Sequence, residues 1–302
     1  MRAVVYGLWA SFFFAFTFIL NRAMDLEGGH WAWSAALRFF FMLPMLACLL
    51  GPRRLRAALA HFSAHRAEYL LWSSVGFGLF YAPLSFAASY GEGWLVAGTW
   101  QITIIAGPLL APFLGRKDRP AHIPFSGMRW SLLILLGVAL MQWEHAKNLS
   151  LSTMLACALP IIPAAFMYPL GNRKMMQVCG DEVDTFQRVF SMTLASLPFW
   201  IPVALWGLFN AGIPSAGQVG QSALVALFSG VFATLLFFAA TNLVRRNPER
   251  LAAVEATQSG EVIFALLGEV LLLHAPLPSL VSLGGITLVC LGMILHSLRS
   301  GQ

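Results

Sequence analysis

Hydrophobic and polar positions are grouped along this chain in long blocks. Apolar runs of about 17 to 24 residues alternate with short polar clusters, and about 20 apolar residues in a helix cross a hydrocarbon core about 30 Å thick. The runs predict ten membrane-spanning helices, at residues 3–20, 31–51, 68–89, 94–115, 127–143, 152–171, 187–209, 220–243, 250–273 and 279–298. We therefore expect an all-α, polytopic membrane protein.

The composition agrees with this pattern. Only 11% of the residues are Asp, Glu, Lys or Arg, and 58% are hydrophobic. A soluble domain carries about 25% charged residues, so this chain could not cover a globular surface with polar groups. Collagen-like, disordered, disulfide-rich and nucleic-acid-binding proteins are thereby excluded. The four cysteines lie in or beside the runs without metal-ligand spacing and are interpreted as buried free thiols. We predict no cofactor and no metal site.

The formal net charge of +6 is distributed unevenly along the chain. If the N-terminus is cytoplasmic, all but three of the 19 Lys and Arg residues fall on the inner side. Arg22 and Lys147 fall outside, and Arg38 lies within the second span. Basic inner loops are the usual orientation signal of helical membrane proteins. The charge thus predicts two cytoplasmic termini in a multi-pass membrane protein, and it requires no nucleic-acid partner.

Two segments of the sequence resemble each other. The fourth span ends in Pro108–Arg116 and the ninth contains Glu261–Glu269; both end in Leu-Gly-charge and precede a short loop and a glycine-bearing span. This similarity predicts two halves of five spans, 1–147 and 148–302, of which the second enters the membrane from the opposite side. Inverted repeats around a midplane site are typical of secondary transporters that work by alternating access.

The motifs of the chain resemble those of one transporter group. The five-plus-five arrangement, with Trp9 in the first span, Arg38 in the second, Leu267–Glu269 ending the ninth and Gly284–Gly292 in the last, is similar to EamA-type exporters of the drug/metabolite transporter superfamily. The resemblance implies export of small metabolites or drugs across the bacterial inner (cytoplasmic) membrane, with both termini cytoplasmic. It includes YddG-like aromatic amino-acid exporters and a multidrug-efflux branch. The fourth span reads Gly98–Thr103 where enterobacterial amino-acid exporters carry Asn-Tyr-Leu-Trp-Pro, so the substrate stays open.

Polar residues inside the apolar runs are the candidates for mechanism, because charges in a span usually face the interior. In the ninth span Glu255, Gln258 and Ser259 are spaced to share one helical face, with Glu261 at its edge. Arg38 is the only cation expected deep in a span. Glu255 or Glu261 is therefore a candidate proton-coupling site, and the alternative is a structural ion pair of either carboxylate with Arg38.

Trp and Tyr residues near the span ends are expected in the aromatic belts at the membrane surfaces. Four aromatic residues are expected deeper: Trp9, Tyr81, Trp100 and Tyr168. Together with the polar residues they predict a cavity between the halves, in which Trp100 and Gln101 of the fourth span lie opposite Glu255 and Gln258 of the ninth. Ordinary helix packing is the alternative for each aromatic residue. The predicted substrate-binding residues are Trp9, Arg38, Tyr81, Trp100, Gln101, Tyr168, Glu255 and Gln258. Glu269 is expected at the outer interface.

An intramembrane enzyme is the rival class. It would need H-E-x-x-H, a serine with a histidine base, or paired aspartates within the spans. None of these is present in the sequence, and all seven histidines fall in loops or at span ends. We therefore expect a protein without enzymatic activity.

The sequence favours a monomeric secondary transporter that exports small amphipathic metabolites. Neutral amino acids, aromatic ones included, are the leading substrates, since one deep arginine facing two or three glutamates suits a zwitterion. The alternative is proton-coupled efflux of lipophilic cationic drugs, for which Glu255 and stacking aromatics would suffice. The expected partners are the solute and the lipid bilayer, and whether protons drive transport is left open.

Overall fold

The long apolar runs fold into helices. The computed structural model describes residues 2–110, 112, 125–146 and 150–299, and every regular element in these residues is helical. The helices are α1 (Arg2–Leu26), α2 (Trp31–Ala64), α3 (Arg66–Ala87), α4 (Gly93–Trp100), α5 (Thr103–Leu109), α6 (Phe125–Ala146), α7 (Leu151–Cys179), α8 (Thr185–Ala211), α9 (Ala216–Val244), α10 (Pro248–Ala256), α11 (Gly260–Leu272) and α12 (Leu280–Arg299). The all-helical class is thus confirmed.

Six of the described helices are long and apolar enough to cross a bilayer: α1, α2, α3, α7, α8 and α9. The fifth and tenth predicted spans correspond to α6 and α12, whose apolar stretches, Leu132–Glu144 and Leu280–Leu295, are shorter. The number of ten spans and the cytoplasmic termini therefore stay predictions. The boundary predicted at residues 147 and 148 lies outside the described residues, as does most of the end of the fourth span.

The fourth and ninth predicted spans are each interrupted. The fourth consists of α4 and α5, with a turn at Gln101 and Ile102 between them. The ninth consists of α10 and α11, joined by a 3₁₀ turn over Thr257–Ser259. Broken helices free backbone groups that membranes tolerate only where protein or a cavity surrounds them. Both breaks are therefore places where a site can form.

The third and eighth predicted spans share another irregularity. Helix α3 contains a π-helical segment at Ser74–Gly78, and α9 contains one at Ala226–Ala233. In α3 this segment lies against α7, where a Cβ built on Gly171 would approach the Cα of Gly76 to 2.3 Å. Only glycine permits this close approach of the two backbones. π-helical segments are rare and frequently occur near functional sites.

Helices from the two predicted halves of the chain pack together in corresponding pairs. Helix α2 packs against α8, and α6 packs against α12. These pairs join the second predicted span to the seventh, and the fifth to the tenth. Likewise α1 packs against α9 and α11, while α7 packs against α3, α4 and α5. The packing joins the described helices of both predicted halves in one bundle.

Helix α2 extends beyond the second predicted span. Gly51 has a left-handed φ of 69° and the next residue is Pro52, so the helix bends there and continues to Ala64. The part after the bend carries three arginines yet buries Ala58 and His61. It therefore lies against the end of the bundle, on the side that the charge pattern predicts to be cytoplasmic.

Candidate functional site

A small cavity lies between the interrupted spans and their neighbours. Helices α1, α2, α3, α4, α7 and α11 and the 3₁₀ turn contribute to its wall. Its chemically distinctive lining residues are Arg38, Phe80, Trp100, Tyr168, Gln258 and Glu261. In this conformation the cavity is wide enough for water but not for an amino acid, so binding a larger solute requires the helices to move.

Several buried polar atoms around this cavity have no hydrogen-bond partner among the described residues. They are Nε and Nη1 of Arg38, Oη of Tyr168, Nε2 of Gln258 and Oε2 of Glu261. Arg38 is 2% exposed and Glu261 is 1% exposed. Buried polar groups in native proteins nearly always have partners, and a buried charge without one is costly. The concentration of such atoms at one cavity indicates a binding site for a polar solute.

Two aromatic rings contact the guanidinium group of Arg38. Its guanidinium carbon lies 4.0 Å from the ring centroid of Tyr81 and 5.5 Å from that of Phe39. The hydroxyl of Tyr81 accepts a hydrogen bond of 3.2 Å from Nδ2 of Asn21. Cation–π contacts stabilise a buried guanidinium without using its N–H groups. Tyr81 therefore positions Arg38 and leaves its donors available, although Tyr81 does not itself line the cavity.

Three aromatic rings form one wall of the cavity. The ring centroids of Phe80 and Trp100 lie 4.9 Å apart, those of Phe80 and Tyr168 lie 4.6 Å apart, and those of Trp100 and Tyr168 lie 5.7 Å apart. These separations are typical of favourable aromatic pairs. Trp100 ends α4, directly before the turn that interrupts the fourth span. The wall can contact an apolar or aromatic group of a solute.

The polar residues of the ninth span that line the cavity lie in the 3₁₀ turn and at the start of α11. The expectation that Glu255 and Gln258 line the cavity together is not met, because the carboxylate of Glu255 is held in an ion pair with Arg173. Gln258 and Glu261 line the cavity, whereas Glu255 does not. Glu261 also lies in the first turn of α11, where a negative charge is favourable.

Glu255 is paired with an arginine that the sequence placed in a loop. Nε and Nη2 of Arg173 donate to Oε1 of Glu255 over 3.2 and 2.7 Å, and Nη2 also donates to Oε2 over 2.7 Å. Nη1 of Arg173 donates to the carbonyl of Gly107 over 2.6 Å. A Cβ at Gly107 would lie 2.4 Å from Oε2 of Glu255, so this glycine makes room for the pair.

The prediction of Arg38 as the only deep cation is therefore wrong. Arg173 is 9% exposed and Arg188 is 3% exposed. The sequence predicts Arg173 in an inner loop and Arg188 at the inner end of the seventh span, but α7 continues to Cys179 and α8 begins at Thr185, so both arginines lie on helices and are buried. The proposed pairing of Glu255 with Arg38 is likewise not found, since Glu255 pairs with Arg173. No ion pair between Arg38 and Glu261 is present either.

Glu269 lies inside the bundle and not at the interface expected for it. It is 1% exposed, and its carboxylate accepts hydrogen bonds from the backbone N–H groups of Gly93 at 2.7 Å and Trp94 at 3.1 Å. These amides begin α4, and an anion at a helix N-terminus is stabilised by the free N–H groups and the helix dipole. Glu269 thus joins the end of the ninth span to the start of the fourth.

The structure does not bring two further predicted residues to the cavity. Trp9 lies on the outside of the bundle, 56% exposed, with its ring centroid 6.0 Å from that of Phe12. Gln101 is buried, and its Nε2 donates to the carbonyl of Ala97 over 2.8 Å. Phe80, by contrast, lines the cavity and had no signal in the sequence that set it apart from the other phenylalanines.

Comparisons with known proteins agree with this architecture. The family model EmrE, described as "Putative multidrug resistance efflux transporter", matches residues 1–302. The "Uncharacterized protein YjlA" of Bacillus subtilis (strain 168) is 53% identical over 309 residues, which cover 99% of this chain and 95% of that protein. The "Uncharacterized 42.1 kDa protein in intracellular alkaline protease 3'region" of Shouchella clausii is 44% identical over 268 residues, which cover 86% of this chain and 70% of that protein.

One solved structure, titled "Crystal structure of protein", has a TM-score of 0.61 with this chain at 12% identity, and the match covers 99% of this chain and 97% of the other. This likeness concerns the fold alone. The family match extends over the whole chain, which therefore belongs to this efflux transporter family and to the drug/metabolite transporter superfamily. The resemblance seen in the sequence is thus confirmed.

Proposed function

We propose that this member of the efflux transporter family exports zwitterionic amino acids, aromatic ones included, through the cavity at the interrupted spans. The observation that carries the proposal is the pair of opposite charges on one cavity: Arg38 and Glu261 both line it, both are buried, and both have polar atoms without a protein partner. A guanidinium matches a carboxylate in geometry and charge. The Glu261 carboxylate can accept from an ammonium group.

The rest of the cavity fits the remainder of such a solute. The rings of Phe80, Trp100 and Tyr168 offer an apolar wall for its side chain. The hydroxyl of Tyr168 and the amide of Gln258 are further unpaired groups at the same cavity. Small-molecule sites typically combine a mostly apolar lining with a few such polar groups.

Two polar contacts, at opposite ends of the ninth span, are candidate gates for alternating access. The first contact is formed by Arg173, which donates hydrogen bonds to Glu255 at the end of α10 and to the carbonyl of Gly107. The second is formed by Glu269 near the end of α11, which accepts a hydrogen bond from the first amide of α4. Opening one contact at a time would expose the cavity to one side of the membrane. The related packing of the two predicted halves and the breaks in both interrupted spans support this mechanism.

Proton-coupled efflux of lipophilic cations is the second candidate. It is favoured by the family description and by the position of Glu261, a buried carboxylate on a cavity with an aromatic wall. A carboxylate with stacking rings can hold an organic cation. For such a substrate Arg38 is unfavourable, because its charge repels the cation, and this separates the two candidates.

The test measures flux into liposomes that contain only this protein. Labelled phenylalanine, tryptophan, threonine and tetraphenylphosphonium are followed with and without a proton gradient, for the wild type, Arg38→Gln and Glu261→Gln. Trp9→Ala, on the lipid-facing surface, is the matched control. We expect amino-acid flux that Arg38→Gln reduces more than tenfold. Cation flux that needs the gradient, ends with Glu261→Gln and persists in Arg38→Gln would establish the second candidate instead.

A further inference from the structure

A second cluster of ionisable side chains lies outside the cavity, at the end of the bundle predicted to be cytoplasmic. The ligand atoms of His61, His65 and Glu182 all lie within 4.8 Å of one another. Nε2 of His61 is 3.6 Å from a carboxylate oxygen of Glu182, which is too long for a hydrogen bond. None of these residues takes part in the proposed transport site.

The backbone fixes the positions of the two histidines. His61 lies in the last turn of α2 and His65 follows as its C-cap, with its N–H donating to the carbonyl of His61 over 3.2 Å. Residues four apart on a helix are neighbours on one face, as in helical metal-binding motifs. Glu182 approaches them from the loop between α7 and α8.

The surroundings of His61 are those of a metal-binding histidine. Its side chain is 8% exposed, and Nε2 has no hydrogen-bond partner in the described part of the chain. Its other ring nitrogen, Nδ1, lies 3.0 Å from the hydroxyl of Tyr69, which in turn lies 3.4 Å from Sγ of Cys179. Metal-ligating histidines typically use the second nitrogen in such a bond, which fixes the ring and directs the first nitrogen at the metal.

Glu182 differs from the other acidic residues of its loop. Asp181 forms an ion pair with Arg245, and Asp184 forms one with Arg54 at 2.6 Å while it also caps α8. Glu182 alone among the three faces the histidines. Its side chain is 75% exposed and can therefore shift toward a ligand at little cost.

We propose that His61, His65 and Glu182 form a binding site for one divalent transition metal ion of the Zn²⁺ type. Two imidazole nitrogens and one carboxylate oxygen are a usual ligand set for Zn²⁺, with water in the fourth position. Tetrahedral coordination at about 2.0–2.1 Å places ligand atoms roughly 3.3 Å apart. The present separations of up to 4.8 Å require shifts of about 1.5 Å, which Glu182 and His65 can make.

The site links two distant parts of the chain. His61 and His65 end α2, in the first predicted half, whereas Glu182 belongs to the second. A bound ion would hold the end of α2 against the loop between α7 and α8. The proposal concerns binding itself, so it does not depend on which solute the cavity transports.

Titration calorimetry with zinc chloride tests the site on the full-length protein, purified in detergent without a polyhistidine tag. The variants are His65→Gln and Glu182→Gln; His61 is left unchanged because its contact with Tyr69 is buried. Glu68→Gln, an exposed carboxylate on α3, is the matched control. Loss of even a second-shell partner typically weakens metal binding about 10–100-fold.

We expect one zinc ion per chain, affinity at least about tenfold weaker in each ligand variant, and no change in Glu68→Gln. Zinc should also raise the unfolding temperature of the wild type more than that of the two ligand variants. Absence of stoichiometric zinc binding to the folded wild type would overturn the proposal. Equal affinity of the wild type and both ligand variants would overturn it as well, since zinc would then bind elsewhere.

Discussion

Replacement of Glu255 by Gln tests the ion pair with Arg173. Gln has nearly the same size as Glu, so the change removes a charge without creating a cavity. The side chains of Arg173 and Glu255 are 10% and 8% exposed, and three N–O contacts of 2.7 to 3.2 Å join them. In the variant the Arg173 charge stays buried, with the Gly107 carbonyl as its remaining strong partner. We expect a loss of about 3–5 kcal/mol in the free energy of unfolding.

Thermal unfolding in detergent of the wild type, Glu255→Gln, Arg173→Gln and the double variant measures this coupling. The double variant removes both charges, so it should be more stable than either single variant, with a coupling energy at the upper end of about 0.5–3 kcal/mol. Arg54→Gln, in the exposed pair with Asp184, is the control and should cost less than about 1 kcal/mol. A Glu255→Gln variant as stable as the wild type would refute the reasoning.

Three further substitutions test separate parts of the structure. Glu269→Gln weakens two charge-assisted hydrogen bonds from the backbone amides that begin α4. Thermal unfolding should show a loss of about 1–3 kcal/mol in the free energy of unfolding. No change would indicate that the carboxylate lies at the interface. Gly171→Leu places a side chain against the backbone of α3, so monodisperse protein should be lost in size-exclusion chromatography. Trp100→Ala should lower solute flux in liposomes severalfold while Trp9→Ala leaves it unchanged; the opposite ranking would contradict the position of the cavity.

Much of the fold could be predicted because each membrane-spanning helix requires a long apolar run, which is visible in the sequence. A charged residue inside a long apolar run, such as Arg38 or Glu261, stands out against its neighbours and must find a polar environment. The structure places both at one cavity, together with Trp100, Tyr168 and Gln258. The helical class and several residues of the candidate site were therefore accessible from composition and spacing.

Arg173 shows why other parts of the structure could not be predicted from the sequence. The apolar run of the sixth predicted span ends at residue 171, and a polar stretch after it looks like a loop. The helix in fact continues, and α10 covers it with Glu255. Hydropathy reports where a chain leaves the hydrocarbon core, but it does not report which neighbouring helix then buries the polar residue.

Two other features depend on tertiary structure. The 3₁₀ turn at Thr257–Ser259 interrupts the ninth span, and none of these three residues is a glycine or proline that would predict a break. The approach of Glu182 to His61 and His65 joins residues that are far apart in the sequence. Trp9 is predicted at the cavity but lies on the outside of the bundle, because an aromatic residue in an apolar run has the same sequence pattern in both places.

Equilibrium binding of three related ligands tests most directly whether Arg38 and Glu261 recognise a zwitterion. Phenylalanine carries both charged groups, 3-phenylpropionate carries only the carboxylate, and phenethylamine carries only the ammonium. The wild type should bind phenylalanine about 10–150-fold more tightly than either analogue, which corresponds to about 1.5–3 kcal/mol for each charged contact. Arg38→Gln should bind phenylalanine no better than phenethylamine, and Glu261→Gln no better than 3-phenylpropionate. Unchanged selectivity in both variants, with folding verified by thermal unfolding, would contradict this account of the site.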